Sequence, residues 1–195
     1  MPCPVKPPFR SAVGRQATDV VRLGVIRVYE TASIAINASL TGHLVFSTLH
    51  ANDAPSAVTR WTIICVRPFL IASATRCLMA QRLVRKICPK CEVPTEPEKS
   101  ELLALGLDPD NIKDPNFLAG KGCDKCNGTG HKGRFGLFEV FVVDDESRKM
   151  IVNKVTTTDL RRRAREVGMR TLREDGARKA VAGMTTANEV LRVTV

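Results

Sequence analysis

Residues 41–60 read Thr-Gly-His-Leu-Val-Phe-Ser-Thr-Leu-His-Ala-Asn-Asp-Ala-Pro-Ser-Ala-Val-Thr-Arg. The apolar run from Leu44 to Leu49 is typical of a central strand in a parallel sheet, because such strands are covered on both faces. Asp53 follows as a helix N-cap, and Pro55 suits the first turn of the helix after it. The stretch therefore predicts a strand followed directly by a helix.

The residues before this stretch extend the same pattern. Asp19 to Ile26 is predicted to be a short buried strand, and Glu30 to Leu40 has the apolar spacing of a helix, with Gly42 where a C-cap would stand. Strand, helix, strand and helix in close succession are typical of a right-handed α/β unit. The fold class predicted for the chain is α/β.

The residues after the stretch predict mainly helix. Pro68 to Ile87 has the length of a helix and is basic at its end, which suits the helix dipole. Phe135 to Val143 alternates like a strand. Four further helices are predicted, at 97–107, from 157–159 onward, at 170–184 and after the capping box 186–189.

Four cysteines form two matched pairs, Cys88-Pro-Lys-Cys91 and Cys123-Asp-Lys-Cys126. The C-x-x-C spacing lets two thiolates reach one ion, and two such pairs supply the four sulfurs of a closed tetrahedral zinc site. A closed site leaves no position for water, so the zinc is predicted to be structural. Glycines that follow the second pair suit a backbone that wraps tightly around a metal.

Other uses of the cysteines and of a nearby histidine fit less well. A disulfide framework suits a short secreted chain, but residues 1–10 do not resemble a signal peptide. A redox pair would need one C-x-x-C after a βαβ pattern. Cys65 and Cys77 are predicted to be core residues, and Cys3 an exposed thiol. His131 could replace a cysteine as ligand, but four thiolates already complete the site.

The composition is that of a globular protein with a basic surface. The 195 residues are 44% hydrophobic and 26% charged, with a formal net charge of +10 and only 5% aromatic residues. The charge permits contact with nucleic acid or an anionic membrane face, but so few aromatic residues give no stacking platform for single strands. Much of the excess lies at Arg161 to Arg163, Arg165 and Arg170, where a solvated helix face is the favoured interpretation over an acidic partner or lipid.

Several segments together resemble the secretion ATPases that drive type II secretion and type IV pilus assembly. Residues 41–60 resemble the family's histidine-box region, 80–91 and 122–134 its two zinc knuckles, and 169–176 and 185–194 its C-terminal helices. The resemblance implies a partial RecA-like P-loop NTPase core with an inserted zinc module and C-terminal helices. The domains expected from it are an irregular segment 1–14, a core at 15–87, a zinc module at 88–136 and a mainly helical part at 137–195.

The nucleotide site that the resemblance implies departs from the family pattern. No G-x-x-x-x-G-K-[ST] loop occurs, so the chain resembles the C-terminal part of a longer ATPase. The family's Asp-x-x-x-x-Gly-Glu-x-Arg-Asp-x-Glu-Thr reads here as residues 19–31, with Val25 at the glutamate and Val28 at the second aspartate. Arg22 stands within the predicted buried strand, where an unpaired charge is costly.

Other residues of that pattern are retained and carry roles by resemblance only. His43 and His50 resemble the histidine-box residues that sense the γ-phosphate or couple the site to subunit movement. Arg27 and Glu30 match positions of the catalytic region. Arg82 and Arg134 resemble contacts to phosphate or a neighbouring subunit, and solvated surface residues are the alternative for both.

The function expected from the resemblance is that of one part of a hexameric motor ATPase, inactive alone, that couples ATP hydrolysis to pilin or pseudopilin assembly. Structural Zn²⁺ is expected in this chain, and ATP and Mg²⁺ only in the intact family protein. The expected partners are further copies and an inner-membrane platform protein, with no specific nucleic acid, and the expected location is the cytoplasm, peripheral at the inner membrane. The alternative is a basic zinc-ribbon module that binds nucleic acid or protein. A co-chaperone with C-x-x-C-x-G-x-G repeats is excluded because four repeats would be needed.

Overall fold

The computed structural model describes residues 19–112 and 114–194. The irregular segment predicted at 1–14 and the exposed thiol predicted at Cys3 lie outside these residues. The described residues form two compact units, one made of 19–79 with 140–169 and the other of 80–112, 114–139 and 170–194. Within the described ranges, no helix has the length and apolar character needed to cross a bilayer. The predicted boundaries at 15–87, 88–136 and 137–195 stay predictions.

The described part of the chain contains six strands, eight α-helices and two short 3₁₀ helices, Pro109–Asn111 and Asp124–Cys126. In chain order the strands and α-helices are β1 Val20–Ile26, α1 Tyr29–Leu40, β2 Leu44–Leu49, α2 Ser56–Ile63, α3 Pro68–Ala74, β3 Cys77–Ile87, β4 Glu92–Pro94, α4 Lys99–Ala104, β5 Leu118–Gly120, β6 His131–Val142, α5 Asp145–Val152, α6 Thr157–Glu166, α7 Leu172–Val181 and α8 Ala187–Val193. The α/β class is therefore confirmed.

Strands β1 and β2 of the first unit pair in parallel, with α1 between them in the chain. Val20 pairs with Leu44 and Arg22 with Phe46, and the register shifts between Arg22 and Val25. Helix α1 begins one residue before the predicted Glu30, and Gly42 takes the left-handed φ of 98° that a C-terminal stop requires. Residues 19–63 therefore follow the predicted order of strand, helix, strand and helix.

The prediction that β1 is buried is wrong. Val21 and Ile26 are buried, but Val20 is 56% exposed, Leu44 51% and Phe46 55%. The sheet has only these two strands among the described residues, so nothing there covers the face that carries Val20, Leu44 and Phe46. Arg22 is exposed on β1, so its charge is not desolvated by burial.

The predicted helix at 68–87 is also wrong. Helix α3 ends at Ala74, and residues 77–87 form β3, which pairs with β6. Backbone hydrogen bonds lie at both ends of the β3–β6 pair: Val143 N donates to Arg76 O at 3.0 Å, and Cys88 N donates to Gly130 O at 2.9 Å. The partner strand lies more than forty residues away in sequence, and its backbone bonds override the helical pattern of residues 75–87. Cys77, predicted to be buried, lies exposed on this strand.

The second unit contains an apolar core. It is built from Val84 of β3, Leu137 of β6, Leu105 after α4, and five residues of α7 and α8, namely Leu172, Ala177, Ala180, Ala187 and Val190. Gly176 of α7 lies against Val190, and this glycine has a packing role because a Cβ would overlap that side chain. The hydroxyls of Thr171 and Thr186 cap α7 and α8.

Candidate metal centre and the predicted nucleotide-site residues

The four cysteines of the two pairs meet at one point of the second unit. Their sulfur atoms all lie within 4.8 Å of one another. Cys88 Sγ lies 3.9 Å from Cys123 Sγ, Cys91 Sγ lies 3.9 Å from Cys126 Sγ, and Cys123 Sγ lies 3.7 Å from Cys126 Sγ. These separations are far longer than a disulfide bond of about 2.05 Å. The group can hold a metal ion.

The size of this group fits zinc. A tetrahedral site with Zn–S bonds of about 2.3 Å has sulfur–sulfur edges of about 3.8 Å. The three measured separations, 3.9, 3.9 and 3.7 Å, match that edge. Cys88 and Cys126 are buried, and Cys91 and Cys123 are half-buried. Four sulfurs at this spacing complete the coordination of one ion, and they would hold it as a structural centre.

The local backbone places each sulfur. The residues Asp124 to Cys126 form one turn of 3₁₀ helix, and Asn127 then takes a left-handed φ of 52°. This turn directs the amide of Cys123 at Cys126 Sγ, 3.2 Å away. A hydrogen bond from Lys121 N to Cys91 O, 3.0 Å long, ties the second pair to the first. Strands β4 and β5 pair antiparallel beside the site, with Val93 opposite Ala119.

Two glycines let the loops approach closely enough for the sulfurs to meet. Gly120 and Gly130 lie backbone against backbone, and a Cβ on either would overlap the carbonyl oxygen of the other. Gly130 also has a left-handed φ of 71°, which strains any residue with a side chain. Of the glycines that follow the second pair, Gly130 is required by contact, whereas a Cβ on Gly128 or Gly133 would meet no atom within 4 Å, so these two positions suit glycine only by their left-handed φ. Gly120 is a contact glycine that the sequence analysis missed.

The thiols of the site influence one another's ionisation. Burial opposes the ionisation of Cys126, but hydrogen bonds from the backbone of Cys123 and Gly130 lower its pKa to about 6. Burial raises the pKa of Cys91 to about 12, and its contacts with the other three thiols add to the effect. A cation among the sulfurs favours the thiolate form of all four, because it replaces the shared protons.

His131 lies beside the site but is not part of the sulfur group. Its Nδ1 lies 2.9 Å from the carbonyl oxygen of Thr129, which can only accept, so Nδ1 carries the proton. Its Nε2 is buried and has no hydrogen-bond partner among the described residues. The set of ligand atoms that lie within 4.8 Å of one another contains the four cysteines and no histidine.

The two histidines predicted for the nucleotide site, His43 and His50, flank the two ends of β2. Ile26 pairs with Leu49 at the carboxyl ends of β1 and β2, and Arg27 and His50 come directly after them. These two residues therefore share the sheet edge at which α/β folds bind ligands. His43 directly precedes β2, so six residues of strand, about 20 Å, separate it from His50.

Each of these side chains has a definite setting. His43 Nδ1 lies 3.1 Å from Thr41 Oγ1 and 3.1 Å from the carbonyl oxygen of Ala38, which anchors it to the end of α1. His50 and Arg27 are exposed, and Glu30 lies half-buried in the first turn of α1. Arg82 and Arg134 are exposed. The catalytic roles of His43, His50, Arg27 and Glu30 stay predictions.

Several ion pairs were not predicted from the sequence. Arg161 bonds Asp53, whose carboxylate also accepts from Ser56 N at 2.7 Å, and Arg163 bonds Asp144. The arginines of α6, predicted to form a solvated face, are thus partly used inside the first unit. Asp53 is not the N-cap of α2, which is Pro55, but its carboxylate accepts from Ser56 N at the first residue of the helix. The Arg161 pair could not be foreseen because it spans 108 residues.

The fold is similar to that of two solved ATPases. The structure matches the ATPase DotB of Yersinia pseudotuberculosis with a TM-score of 0.62 and 18% identity, over 93% of this chain and 38% of that one. The DotB of Legionella pneumophila gives 0.59 and 19%, over 91% of this chain and 39% of that one. At this level of identity the likeness concerns the fold alone.

The sequence places the chain in a family. Residues 5–192 match the family described as "Type II/IV secretion system protein". The chain is 47% identical over 181 residues to the "Type IV pilus assembly ATPase PilB" of Thermus thermophilus, covering 93% of this chain and 20% of that protein. It is 45% identical over 183 residues to the "Type II secretion system protein E" of Pseudomonas aeruginosa, covering 94% of this chain and 36% of that protein.

This chain belongs to the type II/IV secretion system protein family. It spans between a fifth and about a third of the length of these two relatives. The predicted resemblance is confirmed, and so is the fold class that it implied.

Proposed function

We propose that this chain is part of a motor ATPase that powers pilin or pseudopilin assembly, and that its own contribution is a zinc-stabilised lobe. The observation that carries the proposal is the group of four cysteine sulfurs, spaced by 3.7 to 3.9 Å, in a chain of this family. Cys88, Cys91, Cys123 and Cys126 would hold Zn²⁺ as a structural ion. Bound zinc joins two loops that are 35 residues apart and fixes them without a large apolar core.

The chain on its own is proposed not to hydrolyse ATP. No P-loop occurs in its sequence, and Val25 stands where the family places the glutamate that orients the attacking water. Val25 is 40% exposed and offers no group that can accept a proton. ATP and Mg²⁺ would be bound only where other polypeptide supplies the phosphate cradle.

We propose that copies of the chain assemble as a ring of six in the cytoplasm, against an inner-membrane platform protein.

Two measurements test this function. Phosphate release by the purified zinc-loaded chain should equal the background of a heat-inactivated sample. Added to an intact relative, the pilus assembly ATPase of Thermus thermophilus, the chain should enter its oligomer and lower its ATPase rate in proportion to the amount incorporated. ATP hydrolysis by the chain alone would contradict the proposed inactivity. Separate migration from the relative, with no effect on its rate, would contradict the proposed role in a motor.

A further inference from the structure

The cysteine lobe, defined as residues 86–134, carries two blocks of opposite charge. The knuckle block, residues 86–91 and 121–134, has six lysines and arginines against one aspartate, a formal charge of +5. The acidic insert, residues 92–114, has seven aspartates and glutamates against two lysines, a formal charge of −5. The formal charges of the lobe therefore sum to zero, but they are strongly divided along its sequence.

The charges of both blocks are available to a partner. The cations of the knuckle block are all exposed, and these are Lys86, Lys90, Lys121, Lys125, Lys132 and Arg134. The acids of the insert are exposed apart from the half-buried Glu101, and the others are Glu92, Glu96, Glu98, Asp108, Asp110 and Asp114. Over residues 86–112 and 114–134, no ion pair uses any of these groups, and Lys86 makes only a cation–π contact with Phe135 at 6.0 Å.

Charges elsewhere in the same unit behave differently. Glu189 binds both Arg85 and Arg192, and Asp175 binds Lys179. The unit thus satisfies its other acids internally while it leaves both blocks of the lobe unpaired. Complementary charges that a chain does not use within itself favour a contact with another molecule, because exposed charges of opposite sign steer association.

The insert also presents an apolar anchor. Leu103 is 64% exposed on α4, while Leu102 and Leu105 on either side of it are buried and hold the helix in place. An exposed leucine among unpaired acids provides the apolar centre that a charged rim alone would lack. The surface around α4 is therefore suited to a specific contact.

We propose that the knuckle block of one copy docks on the acidic insert of a second copy, head to tail. An anionic membrane would satisfy the knuckle block but repel the insert, whereas a second copy satisfies both. Such a heterologous contact leaves one free block at each end, so it continues from copy to copy and closes into a ring where the rotation allows. The inference deepens the proposed function, because it names a contact between subunits and rests on the proposed assembly of copies.

The test is sedimentation of the zinc-loaded full chain at low and high salt, with paired charge reversals. One variant carries Lys121→Glu and Lys132→Glu in the knuckle block, and the other carries Glu96→Lys and Asp110→Lys in the insert. Each is expected to weaken self-association at low salt by about tenfold or more, and an equimolar mixture of the two should restore it. High salt should weaken association of the unaltered chain.

A matched control keeps the charge change but moves it. Arg170→Glu with Arg178→Glu alters two exposed cations of the same unit outside the lobe, and should leave association unchanged. All variants should keep one zinc per chain. A monomeric unaltered chain at low salt, equal weakening by the control, or no recovery on mixing would overturn the inference. Binding of the unaltered chain to phosphatidylglycerol vesicles without self-association would overturn it in favour of a lipid surface, and neither result bears on phosphate release.

Discussion

The cysteine lobe and the layer formed by β1 and β2 both consist of short elements, but different contacts hold these elements together. In the lobe, the sulfurs approach to 3.7–3.9 Å and Gly120 lies against Gly130, so the chain itself supplies the four sulfur atoms and the backbone contacts at the centre. In the β1–β2 layer, two parallel strands leave Phe46 and Leu44 more than half exposed. Parallel sheets are usually covered on both faces. The lobe is thus fixed by its own residues, whereas the layer is held from one side.

Removal of one metal ligand should have the largest effect, and it should be confined to the lobe. Cys126→Ser is expected to abolish stoichiometric zinc binding and to lower the lobe's unfolding free energy by about 5 kcal/mol or more, since small zinc modules bind their ion with about 10–16 kcal/mol. Metal analysis and near-ultraviolet circular dichroism measure both. Cys77→Ser, which alters an exposed thiol outside the sulfur group, is the control and should retain the ion. Full retention of zinc by Cys126→Ser would show that the four sulfurs are not its ligands.

Two phenylalanines of the first unit, one buried and one exposed, test whether the outer face of β1 and β2 is uncovered in solution. Phe141 is fully buried and Phe46 is 55% exposed, and both belong to the first unit. Phe141→Ala should lower the free energy of unfolding by about 3–5 kcal/mol, whereas Phe46→Ala should change it by less than about 1 kcal/mol. Urea unfolding of the purified variants gives both values. A large loss from Phe46→Ala would mean that the face of β1 and β2 is covered in solution, for example by another copy.

A pair of glycines compares the two regions directly. Gly120→Ala places a Cβ against the carbonyl of Gly130 and should cost about 1–3 kcal/mol, because the backbone cannot yield without moving the cysteine loops. Gly24→Ala adds a Cβ to β1, where no atom outside its chain neighbours lies within 4 Å, and should stay within about 0.5 kcal/mol. Thermal unfolding and zinc affinity measure the difference. Equal effects of the two substitutions would remove the distinction between a closed lobe and an open layer.

Local signals in the sequence predicted the parts of the molecule that depend on neighbouring residues. The C-x-x-C spacing predicted the group of four cysteine sulfurs, and the capping box at 186–189 predicted the first turn of α8. Helix α5 was not predicted as a separate element, although Asp144, which accepts from Ser147 N at 2.9 Å, is a capping signal that could have revealed it.

Features that depend on distant residues were missed. Residues 77–87 look helical until β6 pairs with them, and the burial expected for β1 depends on what lies over its face. Such errors share one cause, since backbone pairing and burial are set by contacts that no local pattern contains.

Glu189 was predicted as the end of a capping box, and its observed role leads to the smallest expected effect. Thr186 does accept from Glu189 N at 3.3 Å, but the carboxylate of Glu189 is 2% exposed and binds Arg85 and Arg192. Burial alone would raise the pKa of this carboxyl, yet the hydrogen bonds from Arg85 and Arg192 lower it to about 2 from 4.5. A lowered pKa in the folded state stabilises the protein above the unfolded value, and this stabilisation is lost as the pH falls from about 4.5 to about 2.

The contribution of Glu189 can be separated from acid release of zinc by a difference measurement. Glu189→Gln keeps the shape of the side chain but cannot ionise, so its free energy of unfolding should lie below that of the unaltered chain at pH 6. The difference in unfolding free energy should narrow as the pH falls through 4.5 towards 2, because Glu189 takes up a proton over this range. Acid release of zinc affects both proteins alike and cancels in the difference. Urea unfolding at each pH provides the values. A gap that is constant over this range would mean that the Arg85–Glu189–Arg192 contacts add no pH-dependent stability, and the second unit would then depend on its metal centre and apolar core alone.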